Sequence, residues 1–156
     1  MLYHATDKKS GLKIWKNGLK SNKKINNNRS KRKSLRKHID KIAQKQYNNY
    51  VLRENAIFAW TTFEAAERYS AGRFLEPAVV EFDLNGPAWC VENHISEDLF
   101  ESYNSTYKDR DIFYIVTNYR KWHNVKDNNL EVWFQETSVK NVHRVLDIYG
   151  DPLPID

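Results

Sequence analysis

The residues able to do chemistry are few and far apart in this chain. His4 stands inside LYHAT, a short apolar strand pattern at the N-terminal end, and Glu131 is the second residue of LEVWF, a strand pattern near the other end. A polar ring in an apolar strand needs hydrogen-bonding partners or a function. Metal binding is not indicated, because His38, His94, His123 and His143 show no ligand spacing. The single cysteine, Cys90, excludes an internal disulfide and a cysteine-based zinc site, and beside Trp89 it reads as structural. There is no P-loop, and five glycines without G-x-G-x-x-G spacing argue against a Rossmann-type site. Taken alone, His4 reads as a satisfied core or edge histidine. Glu131 alone reads as an ordinary residue on an exposed strand face.

The elements that must position these residues follow from periodicity. Residues 2–6 read as a strand. Ser10 is the expected cap of a short helix with Leu12 and Trp15 on its buried face, and Gly18 sits where a helix end takes positive φ. KSNKKINNNRSKRKS has no period and reads as loop. From Ser34, the residues Leu35, Ile39, Ile42, Ala43 and Tyr47 recur at helical spacing, giving a basic amphipathic helix. AIFAWTT reads as a buried strand, and Thr61 with Glu64 as the capping box of the helix FEAAERYS, which ends near Gly72. PAVVEFDLN alternates as a strand and PAWCV reads as another. Ser96 is the expected cap of a helix through EDLFE. DIFYIVTNYRKWHN keeps helical spacing at Ile112, Ile115, Val116 and Tyr119, although its composition suits a strand; it is assigned to helix. LEVWF and VHRVLDIY are the last strands and DPLPID is a tail. No internal repeat is present. Helices early and strands later predict an α+β fold with helices against a curved, mostly antiparallel sheet.

The 156 residues predict one domain, 1–156, and 21 aromatic residues suit a packed core with stacking surfaces. No apolar run reaches the roughly 20 residues of a membrane helix, and no leader pattern is visible, so the expectation is a cytoplasmic protein without a membrane partner. The net charge of +5 hides a division. From Lys20 to Lys45 there are eleven Lys or Arg and one acid, Asp40, whereas the remainder is net acidic. A basic insertion at about residues 20–50 suits a polyanionic partner such as DNA or RNA, with Arg32, Lys33, Arg36 and Lys37 as candidate contacts. A solvated basic loop is the alternative.

Three stretches together resemble the ADP-ribosyltransferase fold in its histidine–tyrosine–glutamate branch. LYHAT followed by GLKIWKNGL is similar to the first strand and helix of DNA-targeting ADP-ribosyltransferase toxins, with the same distance from the histidine to the glycine as from His4 to Gly18. AIFAWTTFEAAERYS resembles the strand and alanine-rich helix of poly(ADP-ribose) polymerases and rifampin ADP-ribosyltransferases. NNLEVWF resembles the late strand that opens with a glutamate. The resemblance covers most of the chain, in order, and implies NAD as substrate with no metal. It implies that His4 hydrogen-bonds a ribose hydroxyl, that the backbone of Ala5, beside Thr6, holds the carboxamide, and that Tyr69 stacks on nicotinamide. Phe58 falls where the motif tyrosine lies, and Glu131 is the implied catalytic residue on the nicotinamide-side ribose. In the toxins the segment matching the basic insertion lies over the NAD site. Arg53 and Arg73 flank the motif segments and are candidates for the pyrophosphate; as surface arginines they need no such role. Trp60 reads as a core aromatic.

This chain departs from the polymerases at three positions: Phe58 lacks the hydroxyl, Ala66 replaces a serine, and Ala5 replaces a glycine. The departures favour a divergent mono-transferase. The chemistry suits the residue types: cleaving the glycosidic bond of NAD develops positive charge on the ribose, which a fixed carboxylate stabilises more in the transition state than in the ground state. The expected function is transfer of ADP-ribose from NAD to a macromolecular acceptor, toxin-like or belonging to a mobile element. An NAD glycohydrolase, a non-catalytic nucleic-acid-binding module and an RNA 2′-phosphotransferase are the alternatives.

Overall fold

In the computed structural model, residues 1–21, 30–101, 109–123 and 129–155 are described. The elements in chain order are β1 (Leu2–Asp7), α1 (Lys8–Asn17), β2 (Leu19–Lys20), α2 (Ser30–Gln46), β3 (Ile57–Trp60), α3 (Phe63–Ala71), β4 (Pro77–Phe82), β5 (Trp89–Glu92), α4 (Asn93–Glu101), α5 (Asp109–Val116), β6 (Arg120–Lys121), β7 (Leu130–Phe134), β8 (Glu136–Thr137), a 3-10 turn over Val139–Asn141, and β9 (Val142–Leu146). Among the described residues, one sheet runs β6-β5-β7-β3-β1-β4-β9 and a two-stranded sheet pairs β2 with β8. Each neighbouring pair is antiparallel. The class is α+β with a mostly antiparallel sheet.

Strand alternation sends the two faces of the large sheet into different cores. On one face, Leu2, Ile57, Ala59, Phe82, Cys90, Val132 and Phe134 pack together, and Ala78, Val80 and Val145 pack with Ile14 and Trp15 of α1. On the other face, Trp89, Val91 and Trp133 meet Leu35, Ile39 and Ala43 of α2 and Ile112 and Val116 of α5. Beside them, Ala5, Trp60 and Val79 receive Ala65 and Ala66 of α3. α1 approaches the sheet at Gly11, where an added Cβ would lie 2.8 Å from Val145 Cγ1.

Several local expectations are corrected. Asp7 caps α1, because its carboxylate accepts both the backbone N–H and the hydroxyl of Ser10. Leu12 is exposed, and Gly11, Ile14 and Trp15 form the inner side instead. Thr62 caps α3, since the Thr61 hydroxyl is occupied accepting from Leu130 N of β7 at 2.9 Å. α4 begins at Asn93, so Ser96 lies inside the helix and does not cap it. α2 begins at Ser30, ahead of Ser34; most of the expected loop before it, and the expected contacts of Arg32 and Lys33, lie outside the residues and side chains described. The helical assignment of DIFYIVTNYRKWHN holds only for DIFYIV, within α5, with Ile112 and Val116 buried; the chain turns after Val116, Tyr119 is buried just past the helix end, and Arg120–Lys121 pairs with β5 as strand β6. Pro152 of the tail bridges back to Leu146.

Candidate functional site

Sheet order decides which distant residues meet. β1, β3 and β7 lie side by side, with Tyr3 opposite Trp60 and Trp60 opposite Glu131. Alternation then puts Phe58, Trp60 and Glu131 on one face. They line a cavity of about 350 Å³ together with Arg36 of α2, Arg53 of the following loop, Arg68, Tyr69, Gly72 and Arg73 at the end of α3, and Asn93, Ser96 and Glu97 of α4.

Glu131 is the best-held group there. It is buried, and its Oε1 accepts from Arg53 Nη2 at 2.5 Å and from Ser96 Oγ at 2.8 Å. Both bonds fall on one oxygen, so neither consumes Oε2. Arg53 is itself 1% exposed, an uncommon place for a guanidinium. It lies 4.4 Å from the Trp133 ring centroid and 4.9 Å from that of Phe58, so its flat cation is packed against aromatic rings. Burial alone works to lower its pKa; the carboxylate of Glu131 and the phenols of Tyr119 and Tyr50 overcome this and raise it. The guanidinium is therefore held in its charged form.

A second layer fixes Arg53. Asp40, the single acid of the basic stretch, is buried and turned inward. Its carboxylate accepts from Arg53 N at 2.8 Å, Glu54 N at 2.9 Å and the Tyr50 hydroxyl at 2.9 Å. Burial raises the Asp40 pKa against the lowering effect of these bonds. Trp89 and Trp133 of the sheet donate their indole N–H groups to Asn49 O and Val51 O, which pins the loop that carries Arg53. Asn49 and Asn55 take positive φ at its bends, a conformation asparagine tolerates.

The cavity wall is aromatic and cationic. Trp60 and Tyr69 have ring centroids 4.8 Å apart, and Trp60 Nε1 donates to Asn93 Oδ1 at 2.8 Å. The Arg73 guanidinium carbon sits 4.1 Å from the Tyr69 centroid, and that of Arg36 sits 4.9 Å from Phe58. Ser70 anchors the end of α3 by bonding Thr6 O and Ala78 N.

Comparison with protein families, curated proteins and solved structures finds no match. The site stands on its own geometry.

Of the residues expected from sequence, Arg53, Phe58, Tyr69, Arg73 and Glu131 come together in this cavity. Ala5 and Thr6 are buried and do not line it; Ala5 packs with Trp60 and Ala66 below the wall. His4 is also off the lining. It pairs with Val80, on the opposite face from Phe58 and Trp60, and its Nδ1 bonds Phe58 O at 2.7 Å. A carbonyl only accepts, so Nδ1 carries the proton and Nε2 remains an acceptor. Burial lowers the His4 pKa, and the Phe58 carbonyl only partly offsets this, leaving the ring neutral. Arg36, expected to face nucleic acid, is turned into the cavity. Trp60, expected as plain core, is buried and also forms wall.

Sequence reasoning missed Asp40, Arg68, Asn93, Ser96 and Glu97. The signal for the last three is present in NHISE: their i, i+3, i+4 spacing puts three polar side chains on one helix face. No group of three or more His, Cys, Asp or Glu that could hold a metal occurs among the described residues. No helix among them is long and apolar enough to cross a membrane.

Proposed function

We propose that the chain cleaves NAD at the nicotinamide–ribose bond and transfers ADP-ribose to an acceptor. One observation carries this reading: a buried carboxylate, with one oxygen held by a buried arginine and a serine, faces a cavity walled by aromatic rings and arginines. Burial of this kind makes a fixed charge act strongly on charge that develops beside it.

In this reading Glu131 uses Oε2 to hold a hydroxyl of the nicotinamide-side ribose and stabilises the positive charge that develops as the C1′–N bond breaks. The bonding pair leaves with nicotinamide, and an acceptor atom then bonds C1′ and loses its proton. Arg53 and Ser96 hold the carboxylate in place, so little reorganisation is needed at the moment of reaction. Tyr69 and Trp60 offer flat surfaces for the nicotinamide ring. Arg68 and Arg73 supply positive charge for the pyrophosphate, and stacking on Tyr69 requires the Arg73 side chain to move aside. The cavity, at the small end of the usual range for ligand sites, suits the nicotinamide–ribose half.

The test is release of free nicotinamide from NAD, followed by mass spectrometry, with and without nucleic acid or cell extract. Release that is lost in Glu131→Gln, and in the neutral pair Arg53→Gln with Glu131→Gln, is the expected result, provided the variants keep the wild-type circular dichroism. A product heavier by one ADP-ribose unit identifies transfer, and release without one identifies a glycohydrolase. No release by the wild-type protein under any of these conditions would overturn the reading.

A further inference from the structure

We propose that the outer face of α2 binds the phosphate backbone of a nucleic acid strand through Lys37, Lys41 and Lys45. The three lysines stand four residues apart and all are exposed. On a helix they form one stripe, about 6 Å between neighbours and about 12 Å from end to end. Lys33 continues the spacing one turn earlier, with its side chain outside those described. Like charges at this spacing repel one another, so an unpartnered stripe weakens the helix that carries it. Within α2 the single acid is Asp40, which is turned inward on Arg53; among the described residues Glu54 lies beside the stripe, 3.9 Å from Lys37 Nζ. A chain of phosphates supplies the missing charge along a line.

The rest of the helix favours this partner over a lipid surface. From Ser34 onward its exposed residues are Ser34, Lys37, Lys41, Gln44, Lys45 and Gln46. None is apolar, whereas a membrane-surface helix buries an apolar face among the acyl chains. Here the apolar residues Leu35, Ile39 and Ala43 are buried against the sheet and α5, which makes the helix a fixed platform. Of the contacts expected from sequence, Lys37 faces outward and Arg36 does not. Arg36 belongs to the cavity wall over Phe58, and Lys41 and Lys45 join the outer surface. A strand on this stripe lies along the same helix that reaches the cavity. The surface holds whether or not NAD is the substrate of that cavity.

The experiment is fluorescence anisotropy of a labelled single strand of about 20 nucleotides, without NAD, across about 50–200 mM salt. Each phosphate contact contributes about 0.7 to the slope of log affinity against log salt for single strands, so Lys37→Gln, Lys41→Gln and Lys45→Gln together lower the slope by about 2. The control is Lys9→Gln, Lys13→Gln and Lys16→Gln on the exposed side of α1, which removes equal charge elsewhere and should keep the slope. All six positions are exposed, so folding is retained and is checked by circular dichroism. An unchanged slope in the α2 variant, or an equal loss in the α1 control, would overturn the proposal. So would capture by phosphatidylserine vesicles in place of the oligonucleotide, or competition by polyglutamate as strong as by unlabelled strand.

Discussion

Arg53 and Glu131, 78 residues apart in sequence, form an ion pair at 2.5 Å with side chains only 1% and 10% exposed. The pair joins the loop after α2 to the inner strand β7, and Ser96 closes it from α4. Two charges so placed depend on each other. Either one alone is a charge without compensation in a low-dielectric setting.

Removing one member should therefore be far worse than removing both. Glu131→Ala or Arg53→Ala is expected to lose about 3–5 kcal/mol, and the double change to paired methionines to recover most of it. Urea unfolding of the two single variants and the double variant measures this. Additive losses would show that the pair is not coupled.

His4 makes stability pH-dependent in a known direction. Burial holds its pKa below the ordinary 6.5, so the folded state keeps it neutral while the unfolded chain takes up a proton. The stability is present above about pH 6.5 and is lost as pH falls from there toward the folded value, by up to about 1.4 kcal/mol per pH unit. Asp40, whose pKa is raised by burial, acts with the opposite sign and closer to the carboxylate range. Unfolding at about pH 7.5 and 5.5 should show a smaller difference in His4→Asn than in the wild-type protein.

Gly11 should resist the substitution that helix propensity favours. Alanine is the better helix former by about 1 kcal/mol, yet its Cβ would meet Val145 Cγ1, a fully buried atom in a packed cluster. Gly11→Ala is expected to be destabilising by about 1–3 kcal/mol overall, seen as a lower Tm, and Val145→Ala should relieve part of it. A stabilised Gly11→Ala would mean that α1 sits further from β9.

The Arg73 guanidinium lies over the ring that the proposed function assigns to nicotinamide. Displacing an exposed cation from an aromatic face costs about 0.5–1 kcal/mol. Free nicotinamide should therefore bind Arg73→Ala about two- to fivefold more tightly, measured by quenching of tryptophan fluorescence. Weaker binding would make Arg73 a ligand contact for the ring itself.

Much of the fold is legible locally because a strand or helix must hide a periodic face. The Leu35–Ile39–Ala43 row declares its helix through that period, and the lysine stripe is the same period seen from outside, whereas AIFAW and LEVWF declare strands buried on both faces through nearly unbroken apolar runs. Gly18 marks the end of α1 with φ 78°, as its position after the helix pattern requires. Cap positions were displaced because hydroxyls are shared with distant backbone. Thr61 bonds Leu130 across 69 residues, and Thr62 is left to cap.

The cavity itself was only half legible. The sequence alone determined that a carboxylate, aromatic rings and arginines lie near the motif strands, and that the excess charge belongs to one segment. It did not determine that Asp40 turns inward to hold Arg53, that Ser96 leaves its capping role to bond Glu131, or that His4 falls on the opposite face from Phe58. Those outcomes depend on which strands become neighbours and in what register, and on where buried charges find partners. Pairing across 35 to 78 residues is settled by the packing of the whole sheet against its helices, because a shift of one residue in register would turn Glu131 out of the cavity.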